Sequence, residues 1–413
     1  MTSDKGTFCI KSIKQRKSDT NIVPKAGFHF AEALGQVYPL LEIIFAYLPY
    51  SDLKICQEVC ESWRTKALEE LSRRTAPSWF TCYKVGSKAY KANLISHSAN
   101  FNYNNVDIGI ILYDNYRIKL NKYICLHSNN VELSQMSVPE YLEEELVPKS
   151  VDYCMLSVHR VASYFNTSNR CLTDVQYHGS TFDGVFIPKL PSIRTVMFHC
   201  NPSKKKEVEA TVKNYVRPNE VAKCLLLFCK TQLYESLYTL LEYLLPKDHP
   251  NSVALGGGVV RGTKTFQKFN HENKIYTVKD TVCILFLKDQ NSLEDNFKAY
   301  SCVIRGNRLS KEEFDSKLLD LKKNVTLKRH TLGFRLCCSA KYQESELQSF
   351  HDIFPGIPLL GLDAYGEIGW DCYPNARPEK SDEPHGAKRL KRNRNCPCAE
   401  NIFSTIVVLI TWD

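Results

Sequence analysis

Between Leu34 and Leu71 the apolar positions recur with helical spacing. Leu41, Ile44, Phe45 and Leu48 stand at i, i+3, i+4 and i+7, and beyond Pro49 a second series runs Leu53, Cys56, Val59, Cys60, Trp63 and Ala67. Pro49 is expected to stop the first helix, with Ser51 as N-cap and Asp52 as a first-turn charge of the second. Two or three short helices over about 40 residues make a core that is marginal alone, so a partner helix or the rest of the chain should complete it.

Beyond Ser78 the period changes to alternating, β-branched and aromatic segments. This predicts strands over 107–113, 151–158, 184–187, 193–199, 222–229, 252–255, 281–287, 300–304, 331–338, 358–362 and 402–411. Helices are predicted over 139–146, 232–245, 311–321 and 344–354. The fold class is α+β, a small helical block followed by two mixed sheet domains. The divisions expected are a disordered basic arm at 1–30, the helical block at 31–77, and sheet parts at 78–215 and 216–413. The charged run Lys204-Lys205-Lys206-Glu207 motivates the boundary between the two sheet parts, and four prolines among charges mark a disordered insertion at about 374–398. No repeat of short fixed period argues for a solenoid or propeller.

Charge sharpens this picture. The chain of 413 residues carries a formal +9, of which +4 lies within Met1 to Ala26 and +5 within Lys388 to Arg394. The remainder is balanced, which argues against a folded surface built to coat a phosphate backbone. The 17 cysteines are an odd number set in apolar runs such as Val282-Cys283-Ile284, as buried free thiols of a reducing compartment would be. Lys11, Lys14, Arg16 and Lys17 break up any signal-peptide core, and the apolar run around Ile406 to Ile410 falls short of the ~18–20 residues of a membrane span. An intracellular soluble protein with neither nucleic-acid nor membrane partner is expected.

Candidate chemistry is sparse. Gly256, Gly257 and Gly258 follow a strand, but no Gly-Lys-Ser/Thr follows them, so a strand end or close backbone approach is expected rather than a phosphate loop. Gly361, Gly366 and Gly369 are expected to set turns with positive φ. Cys337-Cys338 reads as a pair of buried thiols, and Cys396-Pro397-Cys398 with Cys372 lacks the paired spacing of a zinc site. His159, His199 and His351 fall in no catalytic constellation. Catalytic residues, metal and cofactor are therefore expected to be none. Lys388, Arg389, Lys391, Arg392 and Arg394 fit a short nuclear-import signal, with a merely solvated insertion as the competing reading.

Two resemblances add to this. Ile44-Phe45-Ala46-Tyr47-Leu48-Pro49, then Asp52-Leu53, then Val59-Cys60 with Trp63-Arg64, closely resembles the F-box over about Gln36 to Leu68. Gln36-Val37 replaces the usual opening Leu-Pro, and Pro39 stands where an acidic residue is common. The resemblance implies binding to a Skp-type adaptor, and through it to a cullin scaffold and RING subunit. It places Leu48, Pro49, Leu53, Val59, Cys60 and Trp63 in or beneath the adaptor surface.

The second covers Ala254 to Gly258, the strand at 222–229, and the run Thr331-Leu332-Gly333-Phe334, Phe354 to Gly361 and Gly366-Glu367-Ile368-Gly369, which is similar to the FIST region from about Val221 onward. An F-box followed by FIST implies a non-catalytic substrate receptor of an SCF-type ubiquitin ligase, recruiting protein substrates in nucleus and cytoplasm for proteasomal degradation. FIST regions in bacteria are ligand-sensing modules, which leaves a small-molecule sensor as the alternative. Gly256, Gly257, Gly258, Gly366 and Glu367 would then border its pocket.

Overall fold

A computed structural model describes residues 38–85, 92–114, 123–125, 135–137, 146–147, 151–165, 180–190, 192–231, 233, 235–246, 249–269, 272–278, 281–341, 345–376 and 399–413. The molecule is a mixture of helix and sheet. Among the described residues there are seven α-helices, three mixed sheets and one short two-stranded ladder.

The helical block holds α1 (Tyr38–Ala46), α2 (Tyr50–Cys56) and α3 (Glu61–Arg73). Ser51 is not the cap that its residue type suggests. Pro49 occupies the N-cap of α2 without a side-chain bond, while the Tyr50 N–H donates to the Asn102 carbonyl at 3.0 Å. A backbone acceptor from a later loop thus meets a free N–H of the first turn.

Strands follow as β1 (Ser78–Val85), β2 (Ala92–His97), β3 (Val106–Asp114), β4 (Tyr123–Cys125), β5 (Gln135–Ser137), β6 (Asp152–Val158), β7 (Ser180–Pro188) and β8 (Ile193–Cys200). Helix α4 (Lys205–Tyr215) stands at the expected boundary between the two sheet parts, its charges outward and Val208 and Val212 buried one turn apart. Then come β9 (Glu220–Cys229), α5 (Glu235–Leu244), β10 (Ala254–Val259), β11 (Gly262–Phe269), β12 (Glu272–Val278), β13 (Thr281–Asp289) and β14 (Phe297–Arg305). Helix α6 (Lys311–Asn324) starts with a capping box, in which the Glu313 N–H donates to Ser310 Oγ at 3.2 Å and the Ser310 N–H to Glu313 Oε2 at 2.8 Å. The chain ends with β15 (His330–Cys338), α7 (Ser345–Ile353), β16 (Leu359–Ala364), β17 (Glu367–Gly369), β18 (Glu400–Asn401) and β19 (Ser404–Trp412). The helix expected at 139–146 and the basic run at 388–394 lie outside the described residues, except for Leu146.

The first sheet runs β12-β11-β6-β3-β7-β1-β2, the second β18-β17-β10-β9-β13-β8 and the third β14-β19-β15-β16. Two ladders cross the division expected at 215/216, β8 with β13 and β11 with β6, and so do the bridges Val161–Leu362 and Tyr164–Leu359. One continuous core runs through all three sheets, from Trp79 and Ile110 through Leu226 and Ile284 to Val408 and Trp412. Helices α4 and α5 cover the far face of the second sheet, and α6 and α7 that of the third.

Gly256, Gly257 and Gly258 lie inside β10, which is paired on both sides, and not in a loop. A side chain at Gly256 would strike Val408 of β19, and one at Gly258 would meet the Gly366 carbonyl at 2.8 Å. These glycines let the second sheet lie directly on the third. Nor do Gly361, Gly366 and Gly369 adopt positive φ; among the described glycines that conformation belongs to Gly306 and Gly356. Gly361 and Gly369 are strand residues, and a side chain at Gly361 would collide with the Ala162 carbonyl.

Candidate functional site

Helix α1 is apolar around most of its circumference. Leu41 and Phe45 face inward and, with Leu53, Cys56, Ala67 and Leu71, form the core of the block. Phe45 meets Trp63 edge to face at 5.4 Å. On the other side Leu40, Ile43, Ile44 and Tyr47 make a second stripe at i, i+3, i+4 and i+7, with Ile43 60% and Tyr47 77% exposed. Ile55, Val59 and Leu68 add to it from the other helices. Seven of the twelve exposed large hydrophobic side chains among the described residues thus fall between positions 40 and 68. A helix apolar on both sides is normally buried on both sides, so this exposed stripe is a candidate interaction surface.

The residues predicted for adaptor binding divide accordingly. Val59 is exposed, Leu48, Pro49, Cys60 and Trp63 are half-buried, and Leu53 is wholly buried, supporting the surface from beneath. The periodicity grouped Ile44 with the core-facing side chains, whereas it points outward, and it gave no notice of Leu40, Ile43, Tyr47, Ile55 and Leu68. Cys60 occupies the N-cap position of α3, and its thiol sits below the ordinary range because the Ser62 hydroxyl at 3.2 Å and the backbone beside Trp63 favour the thiolate.

The block is tied to the rest of the chain by hydrogen bonds. The Arg74 guanidinium, at the end of α3, donates to the carbonyls of Phe45 (2.6 Å), Leu48 (2.7 Å) and Tyr103 (2.9 Å), and its Nε to Glu70 (2.8 Å). Trp412 Nε1 donates to the Thr75 carbonyl at 2.6 Å, so the last strand holds the linker after α3.

The second candidate region lies at the carboxyl ends of β15 and β16. Arg335 donates to Glu346 Oε2 (2.6 and 3.0 Å) and to Asp363 Oδ1 (3.2 Å). Lys341 bonds Glu346 Oε1 at 2.9 Å and Thr405 Oγ1 at 3.0 Å, and Arg160 binds the other oxygen of Asp363 at 2.7 Å. Burial pushes the Glu346 carboxyl up, but Arg335 and Lys341 outweigh it and hold the group below the usual range. Burial drives the Cys337 thiol up to about 11, as a buried, unreactive sulfur.

Beside this network Glu367 is brought to Gly258 across the β10–β17 ladder, with Gly366 in the turn before it. Ser404 donates its N–H (3.2 Å) and Oγ (3.0 Å) to Glu367 Oε2, while Oε1 is buried without a hydrogen-bond partner. Desolvation raises this carboxyl. His351 meets the Tyr164 hydroxyl at 3.4 Å and His199 is exposed. Among the described residues no His, Cys, Asp and Glu side chains gather into a metal-binding group, and no helix is long and apolar enough to cross a membrane.

A scan against models of known protein families gives no match to this chain, and no curated protein matches it.

Proposed function

We propose that this chain is a non-catalytic substrate receptor of an SCF-type ubiquitin ligase. The observation that carries the reading is the second apolar stripe, Leu40, Ile43 and Ile44 on α1 with Tyr47 just past its end, displayed on a three-helix block whose sequence resembles the F-box. A Skp-type adaptor would cover that stripe, and through it the chain would hang on a cullin scaffold with its RING subunit. The β body would hold protein substrates of nucleus and cytoplasm, and the rate gain would come from the raised local concentration of a substrate lysine beside the conjugating enzyme. Arg74 and Trp412 support this role, since a stiff joint fixes the distance between the two ends. Affinity purification of wild type and an Ile43→Asp/Tyr47→Asp variant under proteasome inhibition tests it. Adaptor and cullin should vanish from the variant while substrates stay on both baits; retention of the adaptor would sink the reading.

The buried, unpartnered Glu367 Oε1 favours a second reading, a ligand-sensing module. Against it, Arg335, Lys341, Glu346 and Asp363 already fill the strand ends where an α/β ligand would sit. Thermal-shift screening of the purified chain with metabolites separates the two, because a ligand selective for the native state raises the melting temperature.

A further inference from the structure

Away from the helical block, three of the remaining five exposed large hydrophobic side chains are Tyr365, Ile402 and Phe403. They occupy two neighbouring turns. Because Glu367 pairs with Asn401 and Ile368 with Glu400, the antiparallel register sets the turn at 365–366 beside the corner at 402–403. At that corner the chain leaves the second sheet and enters the third.

The corner is strained. Phe403 has φ 53°, the left-handed region, which costs a non-glycine residue on the order of 1–3 kcal/mol. A corner alone calls for Gly or Asn. Here it displays a phenylalanine 40% exposed beside an isoleucine 70% exposed. It is also held fast: the Gly306 N–H donates to the Phe403 carbonyl at 3.2 Å, and Ser404 is bonded through both N–H and Oγ to Glu367. Strain maintained on a rigid, apolar, outward-facing tip points to recognition.

The charged side chains around it include two arginines, Arg261 and Arg308, with His159 as a neutral polar neighbour. Arg261 Nε donates to the Tyr365 hydroxyl at 2.5 Å, with its guanidinium carbon 5.4 Å from the ring centre. His159 Nδ1 lies 3.3 Å from the same hydroxyl, and Arg308 is exposed on the turn that carries Gly306. Asp363 and Glu367, the carboxylates of these turns, are buried and face inward; Glu400, half-buried on β18, is the exception.

We propose that this tip is the face on which the β body receives a protein partner, and that it takes an acidic segment carrying an apolar or aromatic anchor. The anchor would rest against Tyr365, Ile402 and Phe403, its flanking carboxylates toward Arg261 and Arg308. The proposal rests on the reading of the β body as the recruiting part.

The test uses the full chain and three fluorescent dodecapeptides: a phenylalanine flanked by Asp and Glu, the same residue flanked by Lys, and an acidic peptide without the anchor. The first should bind about tenfold more tightly than either of the others, and more weakly as salt rises. Phe403→Gly should melt at or above the wild-type temperature yet lose about tenfold in affinity, since it removes ring and strain together. Arg261→Glu should transfer the preference to the lysine-flanked peptide. Equal or absent binding of the three peptides to wild type overturns the proposal, as does wild-type affinity in both Phe403→Gly and Ile402→Ser. Adaptor binding, read on the same preparations, should be unchanged by all these variants, so failure of the ligase reading registers separately.

Discussion

The Arg74 guanidinium reaches back 26 positions to the Leu48 carbonyl at 2.7 Å, and with its bonds to Phe45 and Tyr103 fastens the end of α1 to the sheet body. Arg74→Ala takes the guanidinium donor from three carbonyls, of which only that of Phe45 keeps a backbone donor, the Leu48 N–H, and should destabilise the chain by about 2–4 kcal/mol. Amide exchange through Leu48 to Cys56 should quicken most. Arg74→Lys should recover only a part, because one ammonium cannot reproduce the planar fork. Equal denaturant midpoints for wild type and Arg74→Ala would refute the mounting described here.

Arg335 lies between Glu346 and Asp363 with almost no exposure to water. Arg335→Ala uncovers buried carboxylates and should cost about 3–5 kcal/mol. The Glu346 carboxyl is held below its usual 4.5, so its contribution is present above that value and is lost as pH falls through the lower native value. Glu346→Gln should therefore be less stable than wild type at neutral pH and lose less on acidification, read by urea titration across that range.

Glu367 has the opposite sign. Its native carboxyl is raised above 4.5 by burial, so the folded state loses stability as pH rises from that value toward neutrality. Glu367→Gln keeps an acceptor for Ser404 and removes the penalty. Its melting temperature should exceed wild type by about 2 °C or more at neutral pH and converge with it at acid pH. A neutral-pH melting temperature below wild type would contradict the assignment.

Thiol reactivity should follow the same physics. Among the described cysteines, Cys60 is half-buried with a depressed thiol, while burial lifts Cys337 to about 11 and Cys154 and Cys229 to about 12. Brief alkylation of the native protein at neutral pH, mapped by mass spectrometry, should label Cys60 about 100-fold faster than these three. Labelling of Cys337 in step with Cys60 would show that the network around Arg335 opens readily.

The sequence carried the helical block and the long buried strands, because runs such as Leu225 to Phe228 and Ile406 to Ile410 admit little else. Which side of α1 faces inward was not legible: Leu40, Leu41, Ile43, Ile44, Phe45 and Tyr47 fit more than one stripe, and only packing against Leu53 and Ala67 decides. Helix α4 was hidden by Lys204 to Glu207, whose charges resemble a linker and mask the buried pair Val208 and Val212. The hairpin of β11 and β12 escaped notice because Lys264, Lys268 and Lys274 interrupt its apolar positions. In β10 the glycines signalled close approach, but for Gly256 and Gly258 the cause, Val408 and Ala364 pressing from other strands, lies more than 100 residues away. Phe403 announced nothing, since strain is a property of the fold and not of the residue.

The central claim is that the outer stripe of α1 binds a Skp-type adaptor, and calorimetric titration of the purified chain with that adaptor tests it most directly. Wild type should bind, and Ile43→Asp/Tyr47→Asp, which alters two outward side chains and no core contact, should lose about 100-fold or more in affinity at an unchanged melting temperature. A variant that binds the adaptor as wild type does, or a wild type that does not bind it, would contradict the account.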